Sequence, residues 1–211
     1  MAALAGLYAF PDADPAVAAE AWRVLLAGSP PGTVRELGPL KLTLAAPFAS
    51  QLVTEEVDPR RHSWGFGGTQ DSAQLERATP PWLRCDYDVV AKRARLRTDR
   101  YGFAPLYWRQ LKGSVAFSTS ALLLARIPPL AEADPCALAE LIAFDQLLGE
   151  RTHARGVAAL SIGHHLLLDP SGARLHEHGG YADIPLDARL APRAAVPGLL
   201  RAWRDSFAAL L

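Results

Sequence analysis

The sequence predicts an α+β domain, and three observations carry that prediction. Short apolar or alternating segments recur at both ends of the chain, as strands do. Two Asp-Pro pairs, Asp14-Pro15 and Asp134-Pro135, each stand before an apolar stripe of helical spacing, as a capping residue followed by proline at the first helical position. Between them, the run Arg97–Ser118, RTDRYGFAPLYWRQLKGSVAFS, combines a charged strand end, a glycine turn, an aromatic strand, a Lys-Gly turn and a returning strand.

Taken in order, Leu4 to Phe10 is a short apolar strand, and Pro11 to Asp14 is a turn. A helix over 15–27 carries Val17, Ala21, Val24 and Leu25 on one stripe and stops at Gly28, before Pro30-Pro31. Leu40, Leu42 and Leu44 alternate within one strand region over Thr33 to Ala45, and Gln51 to Val57 is a further short strand. RRHSWGFGGTQDS is polar and glycine-rich, hence a loop or hairpin tip, with Trp64 and Phe66 either packed or lining a cleft. Trp82–Tyr87 and Asp88–Arg97 open the best-patterned region, with Val90, Ala94 and Leu96 at its apolar positions. Leu106, Tyr107 and Trp108 form a strand, Lys112-Gly113 a turn, and Ser114 to Ser118 its partner. Ser120 caps a short helix ended by Pro128-Pro129. A second helix spans 135–148. His164 to Leu168 and Arg174 to Gly179 are strands around an Asp-Pro-Ser-Gly turn. From about Ala188 the character changes, so residues 1–187 are read as the domain and 188–211 as an amphipathic helical extension. Leu199, Leu200, Trp203, Phe207 and Leu210 form its apolar stripe and a candidate interface.

Composition narrows the function classes. The chain has 211 residues, half of them hydrophobic, and 22 acidic residues balance 22 basic ones. That balance argues against a nucleic-acid partner. Lys92, Arg93, Arg95, Arg97 and Arg100 are the one basic concentration, spaced as the polar face of a strand or as a partner surface. Cys85 and Cys136 stand far apart, in no metal-ligand spacing, and each reads as a buried free thiol. The six histidines include His164-His165, on opposite faces of a strand, and the pair His176 and His178 on one face, without a ligand spacing. No segment approaches the ~18 apolar residues of a membrane span, and Met1–Phe10 lacks a basic signal region. A cytoplasmic protein with no cofactor, no metal and no membrane partner is the expectation. No phosphate-cradling glycine loop, HExxH or GxSxG is present. Asp99 and Arg100 are the charged residues best placed for a structural ion-pair network.

Two landmarks carry a family resemblance. RLRTDRYGFAPLYWRQLKGSVAFSTSALLL resembles the glutamine amidotransferase domain of asparagine synthetases, β-lactam synthetases and lasso-peptide cyclases, at Asp99, Arg100, Gly102, Pro105, Leu106 and Tyr107. DPCALAELIAFDQLLGERTHARGVAALSIGHHLLLD is similar to the same family's second landmark, at Gly149, Thr152, Gly163 and His164 among others. Together they cover residues 84–181. The resemblance implies a four-layer α/β/β/α sandwich of two antiparallel sheets, the N-terminal-nucleophile hydrolase fold, here shortened. In the family a cysteine after the initiator methionine attacks glutamine, with its own α-amine as base. Ala2 stands at that place and has no nucleophilic atom, so no catalytic residue is assigned. The family's ATP-binding loop, Ser-Gly-Gly-x-Asp-Ser, does not occur in this sequence. The resemblance therefore implies a non-catalytic scaffold or interaction domain. The alternative is a subunit or fragment of an ATP-dependent amide-forming synthetase, partnered by a separate synthetase-domain protein or by a second copy. A third reading moves the active site to Cys85 or Cys136.

Overall fold

The computed structural model describes residues 4–44, 53–66, 81–99, 101–177, 196–198, 200, 201 and 204. The chain divides into two compact units, Met1–Gly180 and Tyr181–Leu211. In the second, the described residues are helical.

The first unit opens with β1 (Leu4–Ala9), then α1 (Pro15–Gly28), β2 (Thr33–Leu37) and β3 (Leu40–Leu44). Next come β4 (Val53–Asp58), β5 (Arg61–Phe66), β6 (Leu83–Asp88), β7 (Arg93–Thr98), β8 (Tyr107–Leu111) and β9 (Ser114–Ser118). Helices α2 (Ala121–Ala125) and α3 (Pro135–Phe144) follow, and β10 (Ala158–Ala159), β11 (His164–Asp169) and β12 (Gly172–Glu177) complete it. The strands build two six-stranded antiparallel sheets, ordered β10-β8-β9-β1-β3-β2 and β12-β11-β7-β6-β5-β4. The α+β class with two antiparallel sheets is therefore the observed architecture.

Alternation along the strands decides what each face meets. Leu4, Tyr8, Leu42 and Phe117 from the first sheet and Trp64, Leu83, Leu96 and Leu166 from the second belong to one buried core between the sheets. The other face of the first sheet, with Ala5, Leu7, Leu111 and Ala116, packs on Trp22 and Leu25 of α1 and Leu123 and Leu124 of α2. The outer face of the second sheet is polar: in register it presents Ser63, Asp86 and Arg95 in one row and Arg84, Arg97 and His165 in the next.

Several elements depart from the sequence reading for identifiable reasons. Asp14 caps α1 as foreseen, accepting from the amides of Ala16 and Val17. The helix ends differently: Gly28 is still helical, and Ser29 is the cap, its hydroxyl donating to Leu25 O at 2.7 Å. Gly28 is small because a Cβ there would sit 2.2 Å from Leu123 Cδ1, where α1 approaches α2. The region 33–45 is a hairpin, not one strand: Gly38, at φ 57°, turns β2 into β3. The expected loop at RRHSWGF is strand β5, and Trp64 and Phe66 are core residues. Its glycine allows the strand to lie close to β6, because a Cβ on Gly65 would fall 2.2 Å from Leu83 O. Val90 lies at the exposed β6–β7 turn rather than in the apolar face. Helix α3 stops at Phe144, four residues short of expectation, since Asp145 takes the left-handed conformation at φ 56° and its amide donates to Leu141 O. Ser120 caps α2 as expected, accepting from Leu123 N.

Candidate functional site

Ala2, where the resemblance implies a missing nucleophile, lies outside the described residues. The first described residue of β1 is held on both sides of its peptide: Leu4 N–H donates to Thr119 Oγ1 at 3.3 Å, and Leu4 O accepts from Thr119 N at 2.9 Å. Ser118, beside it, accepts from Ser120 N at 3.0 Å.

The two sequence landmarks meet in space. Leu160 N donates to Leu106 O at 2.7 Å, and β10 pairs with β8, placing Ala159 opposite Tyr107. A small cavity of about 140 Å³ lies between them, lined by Gly102, Pro105, Tyr107, Leu160 and Ile162 among others. Asp99 organises the first landmark. It is buried, and its carboxylate accepts three backbone amides: Tyr101 N at 3.0 Å and Phe103 N at 3.1 Å on Oδ1, and Ala104 N at 2.9 Å on Oδ2. Gly102, at φ 71°, donates back to Asp99 O. Asp99 closes a hydrogen-bonded turn: at the end of a strand, amides turned inward are the nearest donors. Arg100 lies outside the described residues. Leu106 is fully buried and Tyr107 half-buried.

The second landmark is also built of backbone ties. Thr152 is buried, donates to Val157 O at 2.8 Å and lies 3.0 Å from Ala154 O, while accepting from Ala154 N. Gly149 and Gly163 have positive φ, 66° and 75°. His164 is half-buried, with Nδ1 3.1 Å from Ile162 O. A broader depression of about 520 Å³ lies at the start of α3, with Cys136, Glu150, Arg151 and Arg155 on its walls.

Sequence reasoning missed the buried charges. Arg109 spreads its guanidinium over three carbonyls, that of Leu124 in the last turn of α2 and those of Ile127 and Pro129 beyond it, at 3.0, 2.7 and 2.6 Å. Desolvation lowers its pKa. On the outer face of the second sheet, Asp86 accepts from Ser63 Oγ at 2.5 Å, Arg97 at 2.7 Å and Arg84 Nε at 3.2 Å. Burial by itself raises the Asp86 carboxyl, but the Arg97 charge, the bonds from Ser63 and Arg97, and Arg84 outweigh it and hold it below its ordinary value. Asp169 receives Ser171 and Arg174. The spacing of Arg84 and Asp86, two apart on one strand, was the available signal for this face. Of the basic run, Arg97 is buried against Asp86, whereas Arg93 and Arg95 are exposed. Tyr8 donates its hydroxyl to Lys92 O, and burial, then Tyr87 and Asp169, push it up to about 12.

Cys85 is fully buried in the core, and desolvation, then Asp86, push its thiol up. A relocated nucleophile at Cys85 is incompatible with that position. Cys136 is exposed. His165 and His176 stand 5.5 Å apart on adjacent strands, and His178 lies outside the described residues. Among the described residues no group of three His, Cys, Asp or Glu side chains could hold a metal ion, and no helix is long and apolar enough to cross a membrane. Of the foreseen interface, Leu200 is about half exposed, and Leu199, Trp203, Phe207 and Leu210 lie outside the described residues.

No protein-family model and no curated protein matches the chain. Among solved structures it is similar to a glutamine phosphoribosylpyrophosphate amidotransferase from B. subtilis complexed with ADP and GMP, at 9% identity and a TM-score of 0.45. The match covers 83% of this chain and 49% of that one, so the chain spans about half the length of the structure it resembles. A likeness of that size assigns no residue a role.

Proposed function

We propose that this chain is a non-catalytic scaffold domain of the glutamine-amidotransferase kind, related to the asparagine synthetase family. One observation carries the reading: the landmark residues hold backbone. Asp99 satisfies three amides, Thr152 ties Ala154 and Val157, and the glycines supply positive φ. These are the bonds of a frame, and none of them presents a reactive atom to a cleft. Ala2, at the place where the related enzymes carry their nucleophile, supports the same reading.

The test is glutamine turnover by the purified chain, followed as ammonia and glutamate release. The expected result is no release above the uncatalysed background. Release that a point substitution abolishes would overturn the reading. A cysteine returned to the start by Ala2→Cys is expected to remain inactive, since the chain also lacks the family's Asn-Gly-Glu and Ser-Asp-Thr-Glu stretches.

A further inference from the structure

The outer face of the second sheet gathers more cations around β7 than its acids can pair. In register, Arg95 of β7 lies beside Leu167 of β11, and Leu167 beside Arg174 of β12. Arg93 stands two residues from Arg95 on the same face, about 6.6 Å along the strand. Leu167 is half-buried between exposed arginines. The next row, Arg97, His165 and His176, holds no acid either.

The acids on the strands flanking β7 are already engaged. Asp86 takes the buried guanidiniums of Arg84 and Arg97 and the hydroxyl of Ser63. Asp169 takes Ser171 and Arg174, with Arg93 Nε 3.8 Å away. Asp88 accepts the amide of Ala91 at 2.7 Å in the β6–β7 turn. Arg95 is left over: it is exposed, and no described residue hydrogen-bonds or pairs with its guanidinium. Desolvation, then the charge of Arg97, and less strongly those of Arg61 and Arg93, lower its pKa against the pull of Asp86. A second donor stands open on the neighbouring position. Arg97 is 7% exposed, and its Nε–H has no acceptor. Like charges side by side on a sheet and a buried donor without a partner both disfavour this arrangement on its own, and an anion relieves both.

The acceptor that fits is tetrahedral. One guanidinium fork fills the two oxygens of a carboxylate. A phosphate offers its oxygens in separate directions, so forks reaching in from β7 and from β12 each find one. The chain as a whole has no net charge and the cationic row spans three strands, which matches a small phosphate and not a long polyanion. We propose that Arg93, Arg95 and Arg174 form a binding site for a phosphate-type oxyanion, supplied as free phosphate or as the phosphate group of a small ester. The site does not depend on whether the chain hydrolyses glutamine, and its measurement does not read that reaction.

The experiment is isothermal titration calorimetry of the full chain with inorganic phosphate, glycerol 3-phosphate, chloride and a mixed-sequence DNA duplex. Ionic strength is held constant, because screening by itself weakens every exposed charge. Saturable binding of phosphate or of the ester is expected, without a response to chloride. Tighter binding of the ester assigns an ester as the ligand, and tighter binding of phosphate assigns the free ion. Arg95→Gln is expected to weaken binding at least about tenfold. Arg23→Gln, which removes an exposed guanidinium on α1, is expected to leave it unchanged. Since Arg95 has no partner in the fold, Arg95→Gln is expected to keep the wild-type far-ultraviolet circular dichroism. If it unfolds, Arg95→Lys is read in its place: it keeps the charge, loses the fork and is also expected to bind more weakly. No saturable binding of either phosphate probe in the millimolar range overturns the inference. So does an affinity indifferent to the change at Arg95, an equal loss in Arg23→Gln, or binding of the duplex without binding of the small phosphates.

Discussion

Single side chains in this protein are committed to holding backbone, and that commitment has measurable costs. Asp99→Ala leaves three inward amides without an acceptor and is expected to cost about 3 kcal/mol in urea unfolding. Asp86 governs acid stability. Its folded pKa lies below the unfolded carboxylate value, so its stabilisation is present at neutral pH and is lost as pH falls through the folded value. Unfolding free energy measured between pH 7 and pH 2 is expected to drop in the wild type below about pH 4. In Asp86→Asn the curve is expected to be flatter there, starting about 3 kcal/mol lower because Arg84 and Arg97 lose their counter-charge. The two cysteines separate cleanly: a thiol reagent at neutral pH is expected to label Cys136 in the native state and Cys85 only on unfolding. Asp99 stood out in the sequence by its place before a Gly turn. Its partners did not, because backbone amides leave no mark in a sequence.

Helices and strands were legible where a local signal marks their start. Asp-Pro at 14–15 and 134–135, and Ser120, cap the helices as read, because N-capping is chemistry between near neighbours. Strand β5 was missed because its polar residues and glycines serve contacts across the sheets. Gly65 lets β5 lie on the Leu83 carbonyl, and Ser63 feeds Asp86. Gly65→Ala is therefore expected to destabilise the protein by about 2–3 kcal/mol, whereas a glycine in an ordinary loop position would tolerate it. Arg109→Met tests a different junction. It removes the guanidinium donor from the carbonyls of Leu124, in the last turn of α2, and of Ile127 and Pro129 beyond it, with an expected loss of about 2–4 kcal/mol in the same assay.

At the scale of the molecule, two sheets share one core, and the first sheet has a second core against α1 and α2. The chain alone determined the α+β class, the helix starts, the hairpin at Lys112-Gly113 and the order of the two landmarks. These follow from periodicity, capping and turn chemistry, which act over a few residues. It also determined that the residue after Met1 is Ala2, whose side chain has no nucleophilic atom, a fact that no folding changes. Only the tertiary structure decided that the landmarks pack on each other through Leu106 and Leu160, that Arg97 is buried against Asp86 rather than free in a basic patch, and that α3 shows its leucines to the outside. Each depends on which surfaces come together across tens of residues. Burial is a property of that assembly: the same apolar stripe is a core in α1 and an open face in α3.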